Sequence, residues 1–154
     1  MTAFLNIKDK EYEAKGTFAF AKRAKQEYPT DGNTDPFSDI FMGLIQNDEE
    51  ALVKFWDCGT AYIPRRDFKR EDIEKAIEAR IEEEGDTINL FKEAMSVLDD
   101  SAFFKRKAAR MKDGLTILNT TGKTDQEKEE NKKAYEFIKA SMAELGIKTK
   151  KKEK

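Results

Sequence analysis

Residues 36 to 45 read "PFSDIFMGLI", and within them Phe37, Ile40, Phe41, Leu44 and Ile45 fall at i, i+3, i+4, i+7 and i+8. On an α-helix those positions share one face. Asp35 precedes as an N-cap, and Pro36 suits the first helical position because its missing N–H has no intrahelical partner there. A stripe this apolar must be covered by another element, so packing onto a helix of this kind governs the fold. Asn47 or Asp48 caps a successor carrying Leu52, Val53, Phe55 and Trp56, until "GTAYIPRR" breaks the pattern. The two form a helix–turn–helix pair.

Upstream, "FLNIKDKEYEA" places Leu5 and Ile7 on one side of a charged Asp9–Lys10 turn and Tyr12 and Ala14 on the other, which reads as a β-hairpin. A lone hairpin is marginal in water, so this one should lie on helices. Gly16 and Thr17 break and cap, "FAFAKRAKQEY" follows with Phe18, Ala21 and Tyr28 at helical spacing, and Pro29 ends it. "PTDGNTDP" is a surface loop. From Lys69 to Glu84 a stripe of Ile73, Ala76, Ile77 and Ile81 precedes Gly85, which sits where a left-handed C-terminal residue is wanted. Asp86 caps "TINLFKEAMSVLDD", with Ile88, Phe91, Ala94, Met95 and Leu98 inward, and "SAFFKRKAARM" either continues that helix or makes a further turn.

"NTTGKTD" at 119–125 is polar and turn-forming, a linker to the charged segment "QEKEENKKAYEFIKASMAEL". There the stripe is narrow, with Ala134, Phe137, Ile138, Met142 and Leu145, and so charged a helix must dock on something to persist. The expected fold is α+β and mainly α. An N-terminal hairpin packs on a bundle of about five helices over residues 1–118, followed by a linker at 119–125, an amphipathic helix at 126–146 and a disordered Lys-rich tail at 147–154. Phe18, Phe37, Ile40, Phe41, Leu44, Ile77, Phe91 and Leu98 are the expected core.

Composition removes whole function classes. None of the 154 residues is His, so Ser-His and Cys-His nucleophile pairs and most zinc sites are absent. Cys58 is the sole cysteine, which forbids an intrachain disulfide and suits a reducing interior. The start "MTAFLNIKDKEYEAKG" reaches charge before any apolar run of signal-peptide length, and no stretch approaches a membrane span, so a cytosolic protein is expected. A net charge of -2 and a pI near 5.5 argue against general nucleic-acid binding. Only the end is strongly basic, with five lysines and one glutamate in Lys148–Lys154.

Gly122, Lys123 and Thr124 mimic the end of a phosphate loop, but Ile117 stands where the first glycine belongs and the preceding segment reads helical. Asp99 and Asp100 adjoin, as do Glu82, Glu83 and Glu84, and neighbours on a helix diverge rather than pair. Ser101 and Lys105 lie at i, i+4, yet nothing supplies an oxyanion site, and Ser101 reads as a cap. No catalytic residue, metal site or cofactor is expected.

The aromatics carry more. "FWDCG" gathers Phe55, Trp56 and Cys58 in one turn, where a packing role stands beside an interfacial one. Phe103 and Phe104 are consecutive, so both cannot face one core from a helix, and basic "FKRKAAR" would rim any surface they make. Phe55, Trp56, Phe103 and Phe104 are the candidate partner-binding residues.

In order, "KDKEYEAKGTFAFAKRAKQEY", "FSDIFMGLIQNDEEALVKFWDCGTAYI" and "DIEKAIEARIEEEGDTINLFKEAMSVLDD" resemble the tail assembly chaperones of long-tailed, siphovirus-type bacteriophages and prophages of Gram-positive bacteria, over roughly residues 4 to 111. The resemblance implies a non-catalytic protein that coats the hydrophobic tape measure protein before the tail tube polymerises around it. It also implies action in the bacterial cytoplasm and absence from the mature virion, and it leaves room for a homo-oligomer. Such chaperones are made in two lengths, the longer by a −1 frameshift, and that longer product would recruit tail tube protein. The A-rich codons of Lys150–Lys152 could supply the slippery message. The rival reading is a small cytoplasmic adaptor that binds nucleic acid through the Lys148–Lys154 arm, an enzyme of unknown type comes third, and for the tail itself a plain solvated end stands beside the slippery message.

Overall fold

The computed structural model describes residues 2–32 and 35–147, so the Lys-rich run from Lys148 onward lies outside the described residues. The chain is mainly α with one small antiparallel hairpin at its N-terminus. Strand β1 (Phe4–Ile7) pairs with β2 (Lys10–Glu13), Leu5 opposite Tyr12 and Ile7 opposite Lys10. The turn falls on Lys8 and Asp9, one residue earlier than the sequence suggests. Both have positive φ, 52° and 66°, as a two-residue hairpin turn of the primed type requires. The register buries Leu5 and Ile7, with Ala3 and Ala14 extending the apolar face.

Helix α1 (Phe18–Glu27) buries Phe20 and Ala24. α2 (Pro36–Ile45) starts on Asp35, whose carboxylate accepts the Ser38 N–H at 2.8 Å, and buries Phe37, Ile40, Phe41, Leu44 and Ile45. Asn47, at φ 58°, turns the chain, and Asp48 caps α3 (Glu49–Gly59) by accepting the Glu50 N–H. The α2–α3 pair is very close: a Cβ on Gly43 would lie 2.6 Å from that of Ala51, so only glycine permits this approach.

α3 is the central helix. α1, α2, α4 (Arg70–Glu84) and α5 (Ile88–Asp100) all pack on it, and from Ala51 to Gly59 only Lys54 escapes burial. α4 buries Ile73 and Ile77 and ends on Gly85 in the left-handed conformation, φ 75°. It also carries the hairpin. Arg80 donates to the Phe4 carbonyl at 2.9 Å while pairing with Glu84 and Glu93, thereby tying β1, α4 and α5 together. α5 buries Leu90, Phe91, Ala94, Met95, Val97 and Leu98.

Ser101 is extended, φ −64° and ψ 126°, so α5 stops and "KRKAARM" starts a separate helix, α6 (Lys105–Ile117). Among the described residues six helices therefore precede the linker, one more than the expected five. α7 (Asp125–Glu144) begins on Thr124, whose hydroxyl accepts the Glu127 N–H. "GKT" is thus the start of a helix, with Thr124 as its cap.

Two apolar residues depart from expectation. Phe18, assigned to the core by its spacing, is 73% exposed. It is the first residue of α1, and the inward face is set by Phe20 and Ala24, leaving Phe18 rotated outward over the α5–α6 turn. Phe137 on α7 is 68% exposed, and that helix meets the core near its C-terminal end, through buried Met142, Leu145 and Ile147 and half-buried Ile138.

Candidate partner-binding surface

Two exposed aromatic rings meet at the junction of α1 with the α5–α6 turn. Phe18 and Phe103, 73% and 42% exposed, meet edge to face with centroids 4.8 Å apart. Aromatic rings prefer this geometry, since the positive edge of one meets the negative face of the other. Beneath them lies a second, buried layer. Phe104 stacks on Phe37 at 4.4 Å and meets Phe20 edge-on at 5.1 Å, and Phe103 stands on Phe104 at 4.9 Å. The Ser101 hydroxyl donates to the Gly16 carbonyl at 3.0 Å and pins the two chain segments together. Glycine is needed there, because a Cβ on residue 16 would stand 2.7 Å from that hydroxyl and 3.0 Å from the Phe104 ring.

The exposed pair is thus held on a rigid base, which lowers the entropy lost when a partner covers it. Lys105, Arg106 and Lys107 follow immediately, all exposed, and Lys107 stands 3.5 Å from Asp35 and over the Phe37 ring. The arrangement is an apolar centre with a polar, cationic rim, the anatomy of a protein interface.

Of the four candidate partner-binding residues, only Phe103 is on the surface. Phe55, Trp56 and Phe104 are corrected to core positions, at 0%, 1% and 2% exposure. The reason for the first two is the central place of α3, on which α1, α2, α4 and α5 all pack. Phe104 follows the turn's geometry, in which adjacent side chains diverge and one falls inward onto Phe37. Sequence reasoning missed Phe18, whose signal would have been its place as the first residue after the cap Thr17 rather than its apparent helical spacing.

A second group, absent from the sequence reading, lies between α1 and the segment after α3. Asp57 is buried at 1% exposure and faces Arg66 Nη1 at 2.9 Å and Arg23 Nη2 at 3.2 Å. The Tyr28 hydroxyl donates to its other oxygen at 2.5 Å. Arg66 also donates to the Asp57 carbonyl and the Thr60 hydroxyl. This network clamps the middle and the C-terminal end of α1 to α3, with one buried carboxylate shared by two guanidiniums and a phenol. Burial, reinforced by the Asp57 carboxylate, pushes the neighbouring Cys58 thiol up to about 12 and the Tyr28 phenol well above its ordinary range. Such a thiol is no nucleophile at neutral pH.

The linkage has a definite sign. A thiol whose pKa is raised by folding stabilises the fold fully below its ordinary value of 9.0, and progressively less as pH climbs toward about 12. The unfolded chain releases its proton in that window while the folded chain holds it, and Tyr28 acts in the same direction. Denaturant unfolding is therefore expected to show a progressive loss of stability as pH rises through that window. Cys58→Ala should flatten the decline, and an unchanged slope in that variant would remove Cys58 from the account.

Among the described residues no cluster of His, Cys, Asp and Glu is placed to hold a metal ion, and no helix is long and apolar enough to cross a membrane. No curated protein and no solved structure matches the chain. The family model of the phage tail assembly chaperone protein, TAC, matches residues 4–112, which span the hairpin, the central helices and most of α6, with both Phe18 and Phe103 inside the match. The chain belongs to the phage tail assembly chaperone family.

Proposed function

We propose that this chaperone coats the tape measure protein, holding its apolar helical segments until tail tube subunits polymerise around it, and that it does so without catalysing a reaction. The exposed Phe18–Phe103 pair carries the reading, because an apolar centre on a rigid base is the feature a folded chaperone needs to grip amphipathic helices one after another. Individual contacts need not be strong. Segments linked along one long partner raise the effective concentration of each next site. In this reading the chaperone works in the host cytoplasm and leaves before the virion is complete, and a homo-oligomer along the tape would be compatible with it.

Recruitment of tail tube protein through an extended frameshift product, and the rival nucleic-acid arm, both rest on Lys148–Lys154. Those residues lie outside the described ones, and nothing in the fold favours the arm.

The test is co-purification with the tape measure protein after co-expression. The Phe18→Ala/Phe103→Ala double variant is expected to fold normally, since both rings are exposed, and to lose about 2 kcal/mol or more of binding, some 30-fold. Equal recovery of the tape measure protein with the double variant would refute this surface as its binding site.

A further inference from the structure

α7 is seated on the body of the protein mainly by its last turn, with half-buried Ile138 packing against the core one turn earlier. Met142, Leu145 and Ile147 are buried, whereas none of the residues from Asp125 to Ser141 is. The end is a compact clip. The Ile147 N–H donates to the Met142 carbonyl at 2.9 Å and the Gly146 N–H to the Ala143 carbonyl at 3.0 Å, with Gly146 left-handed at φ 78°. This pair of hydrogen bonds at a helix end brings the residue after the glycine back to one in the last turn, here Ile147 to Met142.

The clip rests between α2 and α5, beside Met95, Ser96 and Asp99, and a crevice of about 330 Å³ remains between it and α5. Its fit is incomplete. Among the described residues, every side-chain hydrogen bond of α7 is local, and none reaches beyond Thr121. By contrast α2, α3 and α5 are buried along their whole lengths. The match to the family ends at residue 112, so the α2–α5 face lies inside the matched region and its cover lies outside it.

We infer that the α2–α5 face is a docking site for an apolar helical segment of the tail partner, and that α7 occupies it in cis as a displaceable strap. The occupant's chemistry is read from the clip: a helix end presenting two apolar side chains three residues apart and a third two residues further on. Its identity as a tape measure segment rests on the coating reading above. The cis strap lowers the apparent affinity by the fraction of time the face is closed, so single stray helices are rejected. A long partner offering many linked segments competes successfully. The strap thus makes binding selective for arrays, and it keeps an apolar face covered while no partner is present.

The test uses the full chain and a labelled synthetic peptide of residues 125–147. In the Met142→Asp/Leu145→Asp variant the strap is released, and the peptide is expected to bind at least 10-fold more tightly than to the unmodified chain. A tape measure segment should displace it. Equal peptide binding by both chains overturns the strap. A segment that binds without displacing the peptide overturns the shared face and leaves the coating reading intact. A segment that binds no form of the chain removes the coating reading and, with it, the occupant named here. Hydrogen exchange on the unmodified chain needs no substitution and decides the matter if the variant fails to fold. Amides of residues 138–147 are expected to exchange at least 100-fold faster than those of α5, and equal protection overturns displacement.

Discussion

Phe104→Ala is expected to destabilise the chain by about 3–5 kcal/mol, while Phe103→Ala, one residue away, costs under about 1 kcal/mol. The difference comes from neighbours. The Phe104 ring is 2% exposed and is surrounded by Phe37, Phe20 and Phe103, with the Gly16 backbone close behind it. Truncation there opens a cavity where α1, α2 and the start of α6 meet, and three rings held by three different helices or turns cannot all collapse into it. Phe103 is 42% exposed and loses mainly its edge contacts. Denaturant titration of the two variants separates them. Phe104→Ala should also weaken partner binding, since it removes the base on which Phe103 and, through it, Phe18 are held. A Phe104→Ala variant as stable as the unmodified chain would mean that the inner aromatic layer does not support the fold.

What the sequence allowed to be read follows the range of the interactions involved. α2 was legible because five apolar residues at helical spacing, a capping Asp35 and Pro36 are all local signals, and the structure buries that stripe. The hairpin and the acidic α4, with its terminal Gly85, were legible for the same reason, although the charged run Lys8–Lys10 does not by itself fix which two residues make the turn. α3 was harder. Its residues read as one face of an amphipathic helix, yet Ala51–Val53 and Phe55–Gly59 are apolar all round apart from Asp57, which is the pattern of a helix enclosed by others. That pattern moves Phe55 and Trp56 from the surface to the core. Phe18 fails for the opposite reason. At the first position of a helix, periodicity does not fix which side a residue takes, and the neighbour that decides it is Phe103, far along the chain. The polar cluster at Asp57 had no sequence signal whatever, because Arg23, Tyr28, Asp57 and Arg66 come together only through the packing of α1 on α3.

That cluster gives the second large effect. Asp57→Ala is expected to cost about 3–5 kcal/mol, the range for removing one member of a buried ion pair. Arg23, with a third of its side chain exposed, can turn its charge to water, so most of the cost falls on Arg66, at 14% exposure, and on the Tyr28 hydroxyl, which loses its acceptor. The attraction between Asp57 and Arg66 is not itself the source of stability, since desolvating both charges offsets much of it. What destabilises is the charge left behind. Removing that charge as well should therefore recover part of the loss: Asp57→Ala/Arg66→Met is expected to be more stable than the sum of its two single variants by about 0.5–3 kcal/mol. The recovery should be incomplete, because Arg66 Nη1 also donates to the Thr60 hydroxyl and the Asp57 carbonyl, and those two groups remain. Strict additivity of the two substitutions in denaturant unfolding would show that Asp57 and Arg66 act independently, and would remove the ion pair from the account of this cluster.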